Sequence, residues 1–165
     1  MKKIQSRALT GLAAGTIGAA AIAGPFIAKW EGLRQWAYLD PVQVPTICYG
    51  STAGVRMGQY KTEAECGVLL MAEIDYFAGQ VNKYVHVSMP ETRRAALISF
   101  TYNVGVQNFR QSTMLKKLNK GQVRAACDEM LRWVYAKGRK LPGLVTRRKA
   151  ERDLCLQGYE EGSPT

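Results

Sequence analysis

The sequence predicts a single α+β domain that is mostly helical and carries one short β-hairpin in its first third. A chain of 165 residues with 47% hydrophobic composition is long enough to bury a core, and no internal repeat or low-complexity linker divides it. Helical signals occupy most of the chain after residue 60. Residues 36–50 are instead aromatic, β-branched and interrupted by Pro, a composition typical of short strands and tight turns.

The first element is an uncharged stretch of 21 residues, 8–28, which follows Lys2, Lys3 and Arg7. As a helix it would be roughly 31 Å long, the thickness of a bilayer's hydrocarbon core, and the basic flank predicts a cytoplasmic N-terminus. The stretch has six strongly apolar residues among many Ala and Gly residues. These contribute only about −2 to −4 kcal/mol to insertion, so the predicted anchor is marginal.

Three interpretations of this stretch stay open: a permanent anchor, a signal peptide cleaved after Ala23, and an anchor that is released from the membrane without being cleaved. The Ala21-Ile-Ala23 sequence suits a signal peptidase. Cleavage there would shorten the helix that follows, so we favour release. We therefore expect a signal-anchor at 1–28 and a folded domain at 25–158, first held at a membrane and then released from it as a monomer.

Residues 25–34 are predicted to form a short helix that begins at Pro25, a residue suited to a first helical position. Glu31 lies near the end of this helix. Asp40 follows in a turn and Thr46 in the next strand, so the three are spaced nine and six positions apart. Glycoside hydrolysis needs one protonated carboxyl group and one ionised carboxylate. The apolar neighbours of Glu31 favour the protonated role for it, and the position of Asp40 in a turn favours the ionised role.

Later helices are predicted from caps and periodicity. Thr62 and Glu65 form the pattern of a capping box that opens a helix to about residue 82. Ser88 and Glu91 form the same pattern, with Pro90 inside the first turn, for a central helix to about residue 104. Shorter helices are predicted at 112–120, 122–136 and 143–157.

Five ordered segments carry a resemblance to a known family: Glu31-Gly-Leu-Arg-Gln-Trp-Ala-Tyr-Leu-Asp40, Thr46-Ile-Cys-Tyr-Gly50, Ala95-Ala-Leu-Ile-Ser-Phe-Thr-Tyr-Asn-Val-Gly105, Asn108-Phe-Arg-Gln-Ser-Thr-Met-Leu-Lys-Lys-Leu118 and Leu141-Pro-Gly-Leu-Val-Thr-Arg-Arg-Lys-Ala-Glu151. Over residues 25–158 the chain closely resembles the phage-type lysozymes, which are muramidases. The resemblance implies that 25–158 is the catalytic domain and that the membrane is the host cell inner membrane, from which the protein is released to the periplasm. The resemblance implies a lysozyme-like fold with a small hairpin lobe, a long connecting helix, a larger helical lobe and a cleft between the lobes.

The resemblance also implies an activity: hydrolysis of the β-1,4 bond between N-acetylmuramic acid and N-acetylglucosamine in peptidoglycan, with inversion. Glu31 would protonate the leaving oxygen, while Asp40 and Thr46 would orient the attacking water. The family places an arginine of the last helix against the catalytic glutamate, and Arg147, or alternatively Arg148, occupies that position. Two further residues, at positions where family members line the sugar cleft, are Tyr102 and Ser112.

Two positions depart from the family pattern. Gln43 stands where many relatives have Gly, so it must tolerate the backbone conformation that Gly permits. Ser51 replaces a common His, and we expect this change to affect a structural polar contact.

The formal charge of +10 favours an anionic partner. Basic residues are scattered among the helices and no nucleic-acid motif is present, so we expect attraction to anionic wall polymer and no nucleic-acid binding. The single histidine, His86, lacks nearby ligands in the sequence, and we expect no metal and no cofactor. Two other functions stay open: a lytic transglycosylase, and a non-enzymatic basic protein that binds the wall or disrupts membranes.

Four cysteines in a chain that has an export signal favour disulfides. Three pairings are possible. We prefer Cys48–Cys66, which would join the hairpin to the next helix, and Cys127–Cys155, which would join two C-terminal helices. The alternative is that all four are buried thiols.

Overall fold

The computed structural model describes residues 14–160. In this part of the chain, seven α-helices, one 3₁₀ helix and two small antiparallel hairpins follow one another in this order: α1 (Ala14–Glu31), β1 (Arg34–Leu39), β2 (Pro45–Cys48), α2 (Glu63–Tyr84), α3 (Glu91–Val104), α4 (Val106–Gln111), α5 (Thr113–Leu118), α6 (Val123–Asp128), the 3₁₀ helix (Glu129–Arg132), β3 (Tyr135–Ala136), β4 (Arg139–Lys140) and α7 (Pro142–Cys155). The architecture is α+β and mostly helical, as the sequence predicts.

Helix α3 is the centre of the larger lobe. Every residue from 95 to 101 is buried, and α1, α2 and α7 all pack against the helix. The predicted capping box at Ser88 is wrong, because Pro90 is the N-cap residue, with φ −68° and ψ 156°, and it makes no side-chain cap bond. A helix starting after Ser88 would place Met89 in the α region directly before a proline, which is sterically disfavoured.

Helix α1 begins at least eleven residues before the predicted start. Pro25 lies inside it, so its predicted place in the first turn is wrong. The ring is exposed, whereas Ala19, Ala23 and Ile27, spaced four apart, are fully buried. Burial of this face, together with the helix propensity of the preceding Ala residues, outweighs the hydrogen bond that the proline removes.

The predicted anchor overlaps this helix only in part, since residues 1–13 lie outside the described residues. Within residues 14–160, no helix has both the length and the hydropathy that crossing a bilayer requires.

The small lobe consists of β1, β2 and the chain that leads to α2. The strands pair antiparallel, with Tyr38 opposite Thr46. The lobe has its own hydrophobic cluster, formed by Ile47, Cys48 and Cys66, and Cys48 is bonded to Cys66. The capping box that opens α2 is present, with both reciprocal bonds between Thr62 and Glu65.

The C-terminal half differs from the prediction at two places. Helix α4 (Val106–Gln111) lies where no helix was predicted. Only the first part of the helix predicted over 122–136 is α-helical: α6 ends at Asp128. The 3₁₀ helix follows directly, and β3 and β4 then form a second hairpin. The two turn residues, Lys137 and Gly138, have φ of 49° and 74°, the left-handed conformation that two-residue hairpins require. Behind this hairpin, α7 is linked to α6 by the Cys127–Cys155 disulfide.

Candidate active site

Glu31 is the last residue of α1 and lies at the edge of the cleft. Its side chain is 21% exposed, and Arg147 Nη1 donates to its Oε1 over 2.7 Å. A Cβ atom built on Gly50 would lie 3.9 Å from the other oxygen, Oε2. One carboxyl oxygen is therefore held by the larger lobe, and the other faces the small lobe.

A buried network holds Arg147 in place. Its Nε donates to Glu151 Oε1 over 3.0 Å, and the Ser99 hydroxyl donates to the same oxygen over 2.7 Å. Glu151 is fully buried and Arg147 is 4% exposed. The guanidinium therefore has little freedom, and it bridges the last helix to the end of the first.

Arg148, the alternative candidate for the contact with Glu31, faces a different set of partners. It pairs with Glu151 and Asn103, and its Nε donates to the Trp133 carbonyl over 3.0 Å. Burial lowers the pKa of the Arg148 guanidinium, and the carboxylate of Glu151 opposes that shift. The structure thus brings Arg147, and not Arg148, to the glutamate.

Asp40 and Thr46 lie on the hairpin, at the turn and on the second strand. Asp40 Oδ1 accepts the backbone N–H groups of Val42 (2.9 Å) and Val44 (2.8 Å), which leaves Oδ2 for a further donor. Thr46 is 3% exposed, and its hydroxyl donates to the Val44 carbonyl over 2.9 Å. Because that bond uses the hydroxyl proton, Thr46 Oγ1 can act only as an acceptor towards a water molecule.

Both departures from the family pattern have structural consequences. Gln43 has φ of 66°, so a non-glycine residue holds the left-handed conformation in the turn after Asp40. Ser51 is 5% exposed, and its hydroxyl has no hydrogen-bond partner in the described part of the chain.

Tyr102 and Ser112 form internal bonds in the structure. The Tyr102 hydroxyl donates to Glu73 (2.7 Å) and lies 2.9 Å from the Tyr49 carbonyl, and burial, followed by the bond to Glu73, raises the pKa of Tyr102. Ser112 is buried and is the N-cap of α5: it accepts from Leu115 N–H and donates to Phe109 O. Contact of either residue with sugar stays a prediction.

The cleft runs past Glu31 along the larger lobe. A cavity of about 500 Å³ is lined by Trp30, Glu31 and Arg147 together with the start of α7. A neighbouring cavity of about 410 Å³ shares Asn103 and Leu141 with it and reaches the second hairpin. The two adjoining cavities together extend from Glu31 to Tyr135 of the second hairpin.

Several of these residues were missed from the sequence. Glu151 stands four residues after Arg147, a spacing that predicts a pair on one helix face and could have identified it. Ser99 and Asn103 carry no local signal, because their partners lie 52 and 45 residues away.

A glutamic acid fixed by a buried arginine at a cavity of the larger lobe, with a carboxylate and a hydroxyl on the hairpin that follows it in the chain, defines the class: a glycoside hydrolase with a lysozyme fold. The chain belongs to the phage lysozyme family, whose profile matches residues 28–151. It is similar to the SAR-endolysin of Bacteriophage PS119, with 50% identity over 131 residues that cover 79% of this chain and 78% of that protein.

Solved structures are similar as well. The muramidase domain of SpmX from Asticaccaulis excentricus is 32% identical, with a TM-score of 0.77 over 82% of this chain and 95% of that one. The active form of the P1 phage endolysin Lyz is 25% identical and also has a TM-score of 0.77, over 92% and 98% of the two chains. The secreted inactive form of that endolysin gives only 0.54, over 67% and 79%. The fold described above therefore matches the arrangement of the active form.

Proposed function

We propose that this protein is an endolysin that cleaves the β-1,4 bond between N-acetylmuramic acid and N-acetylglucosamine of peptidoglycan by general acid catalysis. The observation that carries the proposal is the bond from Arg147 to Glu31, which fixes the glutamate at a cavity of the larger lobe with its other oxygen towards Gly50, just after the hairpin. Membership of the lysozyme family supports peptidoglycan as the substrate.

Glu31 is the proton donor in this mechanism. Its Oε1 accepts from Arg147, so the proton that moves to the glycosidic oxygen is carried by Oε2, the oxygen nearer the hairpin. Fixing one oxygen limits rotation of the carboxyl group, and the proton is therefore held where the bond will break.

Asp40 and Thr46 position the attacking water. The water donates one proton to Thr46 Oγ1 and the other to Asp40 Oδ2, which directs its lone pair at the anomeric carbon. As the new bond forms, Asp40 accepts the water's proton. Attack on the face opposite the leaving group inverts the anomeric configuration.

The replacement Glu31→Gln tests the acid. It preserves shape but removes the proton, and turnover on purified peptidoglycan should fall at least about 10²-fold, the lower range for general acid catalysis. Asp75→Asn, a change in an exposed carboxylate of α2, is the matched control and should keep full turnover. Full turnover in Glu31→Gln would remove Glu31 from the mechanism. Unchanged lysis of cells by Glu31→Gln, with no turnover by either protein, would favour a non-enzymatic basic protein instead.

The second part of the proposal is that residues 1–28 hold the enzyme in the inner membrane until release. The name of the PS119 relative, SAR-endolysin, is consistent with a signal-anchor that is released. The span and the folded enzyme exclude each other, because Ala19, Ala23 and Ile27 of the proposed span are fully buried in the folded core. While residues 8–28 cross the bilayer, α1 cannot pack on α3, and Glu31 is not presented to Arg147.

The composition of the segment suits both states. Small side chains let α1 approach its neighbours closely: a Cβ atom on Gly24 would lie 3.5 Å from Met71 Sδ, and one on Gly18 would lie 3.2 Å from the Glu91 side chain. The same Ala and Gly residues make the span weakly hydrophobic. Cleavage after Ala23 would remove the buried Ala19, Ala20 and Ala23 from the enzyme, which argues for release of the intact chain.

The membrane potential provides the larger restraint. Release carries Lys2, Lys3 and Arg7 outward, and each charge costs about 2.3 kcal/mol per 100 mV, or about 7 kcal/mol for the three. This exceeds the apolar retention of about 2 to 4 kcal/mol. Collapse of the potential should therefore free full-length protein and start lysis.

A set of leucine substitutions that avoids the buried residues Ala19, Ala20, Ala23 and Ile27 tests the anchor. Ala8→Leu, Gly11→Leu and Ala13→Leu precede the described helix, and Ala21→Leu is on its exposed face. Together they should keep the protein in the membrane fraction and abolish lysis, whereas Ser at the same positions should not retain it. Recovery from the periplasm of only a chain that begins near Gly24 would establish a cleaved signal peptide.

A further inference from the structure

The small lobe carries a pair of solvent-exposed aromatic rings, and neither ring lines the two cavities described above. Trp36 is 64% exposed and Tyr60 is 49% exposed. Their ring centroids lie 5.0 Å apart, and the two residues pair across an antiparallel bridge. Gln35 Nε2 also donates to the Tyr60 hydroxyl over 3.2 Å. The rings are thus held together on a rigid element while facing solvent.

The surrounding lobe is apolar and basic. More than half of the large hydrophobic side chains that are exposed within residues 18–160 belong to residues 32–61, and Trp36 and Tyr60 contact each other within that set. The same segment contains Arg34, Arg56 and Lys61, against the single carboxylate of Asp40, which bonds the backbone of its own turn.

We propose that this aromatic surface, defined by Trp36 and Tyr60 with Arg56 and Lys61 beside them in the sequence, docks on the anionic phospholipid headgroups of the bilayer that anchors the protein. The inference rests on the proposed anchoring by residues 1–28. Trp and Tyr favour the headgroup level of a membrane, and Lys and Arg near the surface are attracted by anionic lipids.

The position of the lobe in the chain selects the membrane as the partner. Trp36 is eight residues beyond Ala28, the end of the proposed span, and an extended chain covers at most about 3.6 Å per residue. The ring is therefore confined within roughly 30 Å of the bilayer's outer edge in the anchored state. A tethered surface meets the adjacent bilayer at a far higher effective concentration than a distant partner.

The lobe can keep its fold while α1 is in the membrane. Its cluster of Ile47, Cys48 and Cys66 contains no residue of α1, and the Cys48–Cys66 disulfide closes it covalently. The main core, by contrast, includes Ala19, Ala23 and other α1 residues. The surface that docks is consequently present before release, when the cleft is still incomplete.

Vesicle binding by the oxidised full-length protein in its released form, in which α1 is packed in the core, tests the aromatic surface separately from the anchor. The vesicles contain phosphatidylglycerol and phosphatidylethanolamine, with phosphatidylcholine vesicles as the neutral comparison, and binding is measured by co-sedimentation. Trp36→Ser/Tyr60→Ser should lower partitioning into the anionic vesicles at least tenfold. The control, Val68→Ser/Tyr76→Ser, removes two exposed apolar side chains from α2 and should bind as the parent does.

A charge variant supports the test independently of folding. Arg56→Glu/Lys61→Glu leaves both rings in place and should remove the preference for anionic over neutral vesicles. If near-UV circular dichroism shows that the ring variant is unfolded, the result of the charge variant alone tests the proposal. Unchanged vesicle binding by either folded variant would overturn the proposal. The proposal would also be overturned if the ring variant lost binding to peptidoglycan while it kept binding to vesicles. Hydrolysis of membrane-free peptidoglycan and membrane fractionation of cells report the catalytic and anchoring proposals separately.

Discussion

Replacing Glu151 by Gln removes the anion that two buried arginines share. Glu151 is fully buried; it accepts from Arg147 Nε and the Ser99 hydroxyl and pairs with Arg148. In the variant, two buried guanidinium groups keep only the Glu31 carboxylate near them, and the amide nitrogen of Gln faces donors that it cannot bond. Breaking a buried ion pair by removing one partner costs about 3–5 kcal/mol.

We therefore expect Glu151→Gln to lower the free energy of unfolding by about 3–5 kcal/mol, a large part of the 5–15 kcal/mol typical of a domain. Turnover at a temperature where the variant is folded should also fall, because Arg147 loses its anchor and no longer fixes Glu31. Urea denaturation of the oxidised protein measures the first effect, and hydrolysis of purified peptidoglycan measures the second.

Asp128→Asn is the matched control, because it also removes one carboxylate from a pair with an arginine. Arg152 Nε and Asp128 Oδ1 are 2.8 Å apart, but the two side chains are 28% and 41% exposed. An exposed pair contributes at most about 1 kcal/mol. Destabilisation of both variants by the same amount, about 1 kcal/mol or less, would contradict the role assigned to the buried network.

Two further predictions concern the turn after Asp40 and the buried hydroxyl of Tyr102. Gln43→Gly should raise the free energy of unfolding by about 0.5–1 kcal/mol, because it relieves the left-handed strain at a small entropic cost; equal stability of Gln43→Gly and Gln43→Ala in urea would contradict this. The pKa of Tyr102 is raised by burial and by Glu73, so the stability it contributes is complete below pH 10.0, its ordinary pKa, and is lost as the pH rises through the higher native value. Tyr102→Phe should flatten the loss of stability above pH 10.0, and an unchanged pH dependence of the free energy of unfolding in this variant would contradict the prediction.

The parts of the molecule that the sequence predicts well are those set by local chemistry. The capping box at Thr62 and the hairpin that carries Asp40 and Thr46 depend on neighbouring residues. The predicted helix start at Pro25 was wrong. A proline suits a first helical turn, but burial of the α1 face stabilises helix on the N-terminal side of Pro25 as well. The contact from Arg147 to Glu31 joins residues 116 positions apart, and only the family resemblance pointed to it. No spacing rule distinguishes Arg147 from Arg148, since the choice is made by packing around Glu151.

The central claim is that water, directed by Asp40 and Thr46, cleaves a bond that Glu31 protonates. The most direct test is mass spectrometry of the muropeptides released from purified peptidoglycan in ¹⁸O-labelled water. We predict products with a reducing N-acetylmuramic acid that carries one ¹⁸O atom, abolished by Glu31→Gln and by Asp40→Asn. Anhydro products, lighter by one water and free of label, and still formed by Asp40→Asn, would contradict hydrolysis and establish a lytic transglycosylase.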